Sequence, residues 1–413
     1  MKKIIQPQQL KGVVTPPPSK SMAHRLIICA SLADGQSVID NVAINDDITA
    51  TIEAMQLLGA KIARNGSSLV VDGIGDNVCE KDLLIDCKES GSTLRFVLPI
   101  ALAKSKAKLH FVGKGRLGKR PMLTYYEIFK TQKIDYQDDT DKTPQGLLDL
   151  TTQGTLSGGS FFVAGDVSSQ FVSGLLFALP LAQADSVIYI TSELESKGYV
   201  DLTISALNMF GVEIENKNYE KFVIKGNQKY SAGKVSVEGD FSQASFFVVA
   251  NALGAQIDIR GLNDQSLQGD KEIFKLVDAV QNSPDEPLVI DGKNIPDIIP
   301  ALSVACALRK GITIVENISR LRLKECDRLN AIADELTKLG ANVREYEKSL
   351  RFDGVECFIG NVVDSRNDHR IAMMLAIASN KCIGDIEIEN SECISKSYPD
   401  FFDILTDLGG KIL

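Results

Sequence analysis

The sequence predicts an α/β fold of two similar domains, each built around buried helices. Three observations lead there. A helix–strand–helix–strand–strand pattern recurs six times along the chain, the first helix of each unit is apolar on nearly every side, and the strands alternate apolar with polar residues. The chain has 413 residues, 44% hydrophobic and 24% charged, which suits two or three domains and a sizeable core.

An apolar run leading into a short alternating strand begins at Ser19, and returns at Glu89, Asp166, Asp240, Ile295 and Asn367, in steps of 70, 77, 74, 55 and 72 residues. In the first run Leu26, Ile27, Ile28, Cys29 and Leu32 cover every face, so that helix belongs in an interior. In the strand QIDIR, Ile257 and Ile259 point one way while Gln256, Asp258 and Arg260 point the other. Between the runs a second helix ends in glycine and turns into a strand, as LLGAKI, MFGVEI, KLGANV and DLGGKI. Each glycine is the expected left-handed C-terminal cap. A further strand ending in glycine follows three of these, as SLVVDG, KFVIKG and SLRFDG, and PLVIDG reads as a fourth example. The second unit, around Ile128 to Gly154, fits the pattern loosely. Six units in two groups of three give two domains.

Composition excludes several classes. Forty-five basic residues stand against 54 acidic ones, a net charge of −9, with no basic tail or block, so a nucleic-acid binder is not expected. The histidines are His24, His110 and His369, too few for a histidine-rich metal site. The eight cysteines contain no C-x-x-C pair and sit in apolar or mixed runs, as reduced core thiols of a cytoplasmic protein do. The N-terminus lacks the apolar region of a signal peptide, and the longest apolar stretch, 171–182, is too short to span a bilayer.

The helix starts carry the functional signal. They are rich in Ser, Gly, Asp and Asn: Ser19 and Ser21; Ser90, Gly91 and Ser92; Ser168, Ser169 and Gln170; Ser242 and Gln243; Asp297; Asn367 and Asp368. N-capping accounts for such residues. It does not account for Lys20, Arg25, Arg95 and Arg370, because positive charge is mildly unfavourable at the positive end of a helix dipole. Helix N-termini with added cations are anion sites. More cations lie in GKGRLGKRP (113–121), in SRLRLKECDR (319–328, with Arg320, Arg322, Lys324 and Arg328), at Arg366 and at Lys396. In KECDR, helical spacing puts Lys324 and Arg328 on one face, with Glu325 beside Arg328 three residues away. Gly113 to Lys119 matches the spacing of a P-loop, but Arg120 stands where Ser or Thr is needed and Pro121 follows, so an anion-clamping loop is the better reading.

With PPPSKSMAHR, ESGSTLR, GKRP, SSQ, ESKGYVD, IPD, RLKECDR, NDHR and CISKSYPD in this order, the chain resembles the 5-enolpyruvylshikimate-3-phosphate synthase family of enolpyruvyl transferases over its whole length. The resemblance implies two domains of three βαβαββ units each, an inside-out α/β barrel, with the active site in the cleft between them. One domain is expected over 19–238 and binds mainly shikimate 3-phosphate. The other joins 1–18 to 239–413 and completes the phosphoenolpyruvate site. The implied reaction transfers the enolpyruvyl group of phosphoenolpyruvate to the 5-hydroxyl of shikimate 3-phosphate, releasing phosphate through a tetrahedral intermediate, with no metal or organic cofactor. The implied shikimate 3-phosphate ligands are Lys20, Ser21, Arg25, Ser168, Ser169, Gln170, Ser196, Tyr199, Asp297 and Lys324. Those for phosphoenolpyruvate are Lys20, Gly91, Arg95, Arg120, Gln170, Arg328, Arg370 and Lys396. Catalysis is assigned to Asp297, which takes the hydroxyl proton, to Glu325, which protonates the methylene carbon, and to Lys20 and Lys396.

Three positions depart from the family pattern: Glu89 where asparagine is frequent, Phe96 where proline is frequent, and Arg320 where asparagine stands. An extra carboxylate at Glu89 repels an anion unless it is paired or turned away. The family inhibitor glyphosate occupies the phosphoenolpyruvate site, and retention of Gly91 predicts inhibition. The sister enzyme acting on UDP-N-acetylglucosamine usually carries a cysteine in the loop that 113–121 matches, and none is present here. A non-catalytic protein of this fold would be expected to have lost Asp297, Glu325 or Lys20. The protein is expected to be a cytoplasmic monomer, with no membrane or nucleic-acid partner.

Overall fold

A computed structural model describes residues 1–284 and 286–413. The chain divides into two compact units, one of residues 18–238 and one of residues 1–17 with 239–413.

In the unit 18–238 the helices are α1 (Lys20–Leu32), α2 (Asp46–Leu57), α3 (Gly91–Lys104), α4 (Leu123–Gln132), α5 (Ser169–Ala178) and α6 (Lys197–Met209). The apolar runs became α1, α3 and α5. Every residue of α1 from Met22 to Leu32 is buried, and in α5 only Gln170 is not. Burial of the whole circumference is what the lack of a polar face demands. Gly174 lets α5 approach α3, since a Cβ there would stand 2.2 Å from the Arg95 carbonyl oxygen. Three four-stranded sheets surround these helices with one shared topology. A leading strand runs parallel to a second, which pairs antiparallel with the last, which pairs antiparallel with the third. The leading strands are Lys234–Ser236, Leu83–Asp86 and Ser160–Val163.

The unit of residues 1–17 and 239–413 holds α7 (Phe241–Ala252), α8 (Ile273–Asn282), α9 (Ile299–Leu308), α10 (Arg328–Lys338), α11 (His369–Ala378) and α12 (Phe401–Asp407). Here α7, α9 and α11 are the buried helices. The N-terminal segment is stitched into this unit. Lys2–Ile5 pairs antiparallel with Ile386–Glu389, and Lys11–Val14 pairs parallel with Gln256–Ile259. Leu413 and Ile4 exchange backbone hydrogen bonds of 2.8 and 2.9 Å, so the two ends of the chain meet.

The glycine caps stand as expected: Gly59, Gly211, Gly340 and Gly409 have φ of 118°, 78°, 86° and 93°. Two readings need correction. PLVIDG is not a closing hairpin strand. Leu288–Asp291 runs parallel to Ile312–Glu316 and leads the next sheet, whereas Ser68–Asp72, Lys221–Ile224 and Leu350–Asp353 run antiparallel to their partners. Alternation reports which face is buried and carries no information on strand direction. The second unit has the shared sheet although its signature is missing. Its helix α4 ends on Lys133 at φ 57° instead of a glycine, and two short 3-10 turns lengthen the link between its last strands.

Candidate active site

Within the unit 18–238, the starts of α1, α3, α5 and α6 bring the predicted residues together. Ser19, Ser90 and Ser168 cap α1, α3 and α5 through their side chains. Lys20 pairs with Asp47 of α2 at 2.6 Å. Arg25 donates to Ser21 O at 2.6 Å, Tyr199 O at 2.8 Å and Thr203 Oγ1 at 2.9 Å, and lies 5.2 Å from the centroid of the Phe96 ring. Burial lowers its pKa to about 10. Arg95 donates to Gln170 Oε1 at 2.8 Å, and Gln170 Nε2 donates to Ser92 at 2.9 Å, which joins α3 to α5. Arg120 lies over Gly91, where a Cβ would meet its Nη1 at 2.4 Å. Ser196 precedes α6 in a left-handed conformation (φ 58°).

Behind these starts runs a buried polar chain. His24 Nδ1 is 2.8 Å from Thr51 Oγ1, which is 2.7 Å from Thr93 Oγ1, which donates to Ser90 Oγ at 2.8 Å. Burial, with Lys20 and Arg25 nearby, holds His24 well below its usual pKa, so it stays neutral.

Within the other unit a second cluster centres on Asp297. Its Oδ1 is 3.2 Å from both Lys324 Nζ and Arg328 Nη1, and its Oδ2 is 3.0 Å from Arg370 Nη2. Arg370 also donates to the Asp297 carbonyl at 2.8 Å. Burial alone would raise the Asp297 carboxyl, but Arg370, Lys324 and Arg328 hold it well below the usual carboxylate range. Arg328, 1% exposed, also contacts Glu325 at 2.7 Å and Asp368 at 2.7 Å. Lys396 Nζ donates to Asn367 O at 2.8 Å. Asp270, hydrogen-bonded by Ser242, has its pKa raised to about 6, by burial first and by Asp297 second.

KECDR does not lie on one helix, contrary to what its spacing suggested. Lys324 and Glu325 are not on a helix: a 3-10 turn covers Ser319–Leu323, Lys324 is extended, and α10 starts at Arg328 with Asp327 as its cap. Asp327 competes for the backbone as an N-cap and stops the helix before the motif. Asp297 likewise does not cap α9, whose N-cap position is Ile298. Asp240, not Ser242 or Gln243, caps α7. Sequence reasoning missed Asp47 as the Lys20 partner and Asp368 as the buried partner of Arg328, because both read as ordinary helix-start residues. Two of the departing residues have defined neighbours. The Glu89 carboxyl lies against Gly115, where a Cβ would meet it at 2.6 Å, and Arg320 donates to Lys293 O at 2.8 Å. Among the described residues, no three His, Cys, Asp or Glu are grouped to hold a metal, and no helix is long and apolar enough to cross a membrane.

The family model for EPSP synthase (3-phosphoshikimate 1-carboxyvinyltransferase) matches residues 4–405. The chain belongs to the EPSP synthase family. It is 52% identical to a 3-phosphoshikimate 1-carboxyvinyltransferase of Clostridium botulinum, over 98% of this chain and 97% of that one. It is 49% identical to one of Clostridium perfringens over 99% of both chains. The EPSP synthase structure from Acinetobacter baumannii shares the fold, with a TM-score of 0.78 at 22% identity, covering 100% of this chain and 99% of that one. Enolpyruvyl transfer in the shikimate pathway is therefore the reaction of this family member.

Proposed function

We propose that shikimate 3-phosphate is held by Lys20, Ser21, Arg25, Ser168, Ser169, Gln170, Ser196, Tyr199, Asp297 and Lys324, and phosphoenolpyruvate by Lys20, Gly91, Arg95, Arg120, Gln170, Arg328, Arg370 and Lys396. The observation that carries this reading is the Asp297 carboxylate in contact with Lys324, Arg328 and Arg370. In the addition step the 5-hydroxyl oxygen bonds to C2 of phosphoenolpyruvate, its proton passes to Asp297, and Glu325 delivers a proton to C3. In the elimination step C3 returns a proton to the Glu325 carboxylate, the C2–O bond to phosphate breaks, and the leaving phosphate takes up the proton held by Asp297, forming the enol ether. Lys20 and Lys396 assist these proton transfers. Substrate anions that engage Lys324, Arg328 and Arg370 draw positive charge away from Asp297 and raise its basicity as the hydroxyl arrives. The same cations stabilise carboxylate and phosphate charge through the intermediate. The protein acts in the cytoplasm as a monomer.

The test is phosphate release with both substrates, controlled by omission of each. Asp297→Ala and Glu325→Ala are expected to fold normally and to lose about 10²- to 10⁴-fold in turnover. Full turnover in either variant removes that residue from the mechanism.

A further inference from the structure

Arg322 is one of the cations of the 319–328 loop, and the proposed mechanism assigns it no task. Its guanidinium is turned onto protein acceptors. Nη1 donates to Asp327 Oδ2 at 2.9 Å and to Glu345 Oε1 at 2.6 Å, Nη2 to Tyr346 O at 2.8 Å, and Nε to Glu347 O at 3.2 Å. All three nitrogens are engaged, which does not suit a substrate ligand.

The acceptors lead back to the loop. Asp327 uses its other oxygen to cap α10 through Asn330 N at 3.1 Å. Glu345 uses its other oxygen to accept from Asn330 Nδ2 at 3.1 Å. A second tie, from Ile318 N to Lys348 O at 3.0 Å, anchors the other end of the 3-10 turn to the same hairpin, between Asn342–Glu345 and Leu350–Asp353. Residues 323–326 therefore span two points that one guanidinium joins, and Lys324 and Glu325 stand on that span. Arg328 contacts Glu325 and Asp297 but has a further anchor off this span, Asp368, whose side chain is fully buried.

We propose that Arg322 is a positioning residue, which sets the places of Lys324 and Glu325 by joining Asp327 to the turn at 345–347. This rests on the roles proposed above for Lys324 and Glu325. Arg322 therefore supports turnover and shikimate 3-phosphate binding, whereas Arg328 of the phosphoenolpyruvate clamp keeps its buried Asp368 anchor without it. A planar fork with several donors is required, so a lysine point charge does not replace it.

The experiment is steady-state kinetics of Arg322→Gln, Arg322→Lys and Glu345→Gln, with melting temperatures. Arg322→Gln is expected to lower kcat about 10- to 100-fold and to raise the KM for shikimate 3-phosphate about threefold or more, as a small displacement of reacting groups does. The KM for phosphoenolpyruvate should stay within about twofold, and Tm should fall little, because the ion pairs are partly exposed. Arg322→Lys should not restore kcat. Glu345→Gln should shift the constants in the same direction, and the double variant should be no worse than Arg322→Gln. The inference is overturned if Arg322→Gln keeps kcat and both KM values within about twofold of the parent, or if both KM values rise equally. If Arg322→Gln does not fold, an unchanged kcat in Glu345→Gln overturns it. Glu325→Gln, measured alongside, separates the two levels. Full turnover there sinks the site assignment and the inference with it, whereas full turnover in Arg322→Gln beside a disabled Glu325→Gln sinks the inference alone.

Discussion

Asp270 shows how one carboxyl reports its surroundings. Burial, then the Asp297 charge, raise it to about 6 from an ordinary 3.8. A raised carboxyl favours the folded state below its unfolded pKa, and that contribution is lost as pH rises through the folded value. Asp270→Asn should therefore gain stability relative to the parent as pH goes from about 4 to about 8. Urea denaturation at both pH values measures this, and an unchanged difference between variant and parent would falsify it. Gly91 is the other residue whose identity has a direct cause. A methyl group there stands 2.4 Å from Arg120 Nη1, so the guanidinium must move while the backbone need not. Gly91→Ala should keep its Tm and raise the KM for phosphoenolpyruvate about tenfold, the loss of a charged hydrogen bond. An unchanged KM would remove Arg120 from the proposed clamp.

At the scale of elements, the buried helices are joined by polar ties as well as packing. Thr51 links His24 of α1 to Thr93 of α3, and all three side chains are buried. Valine at 51 fits the space but leaves His24 Nδ1 and the Thr93 hydroxyl without that partner. Thr51→Val should cost about 1–3 kcal/mol of unfolding free energy. A loss below about 0.5 kcal/mol in urea titration would mean that the network relaxes without penalty. The repeat was legible in the sequence where glycine ended a helix, as at Gly59 and Gly340. It was obscured at Lys133, because a left-handed cap formed without glycine. The PLVIDG strand was legible as a strand but not in its direction, which depends on a partner at 312–316.

On the scale of the molecule, each unit encloses its own apolar core. The core of 18–238 is lined from Met22 to Val237, and the other draws on Ile5, Leu10 and Val14 together with residues from Phe246 to Leu408. A contiguous unit with a core of this size should fold alone. Residues 18–238 expressed by themselves should give a cooperative thermal transition; a fragment that stays unfolded or aggregated would show that its core is insufficient. Residues 239–413 without 1–17 should not fold as well, because Lys2–Ile5 and Lys11–Val14 complete sheets there.

The sequence by itself determined the α/β class, the six-fold repeat, the wholly buried helices and the family, because apolar periodicity and motif order are local properties of the chain. It also singled out Asp297, Lys324, Arg328 and Arg370. Only the tertiary structure decided that the three cations surround Asp297, that Asp47 and Asp368 are partners of Lys20 and Arg328, and that Arg322 binds Asp327 and Glu345. Charge pairing depends on distances between residues far apart in the chain, and helix capping by Asp327 overrode the spacing on which the KECDR reading rested.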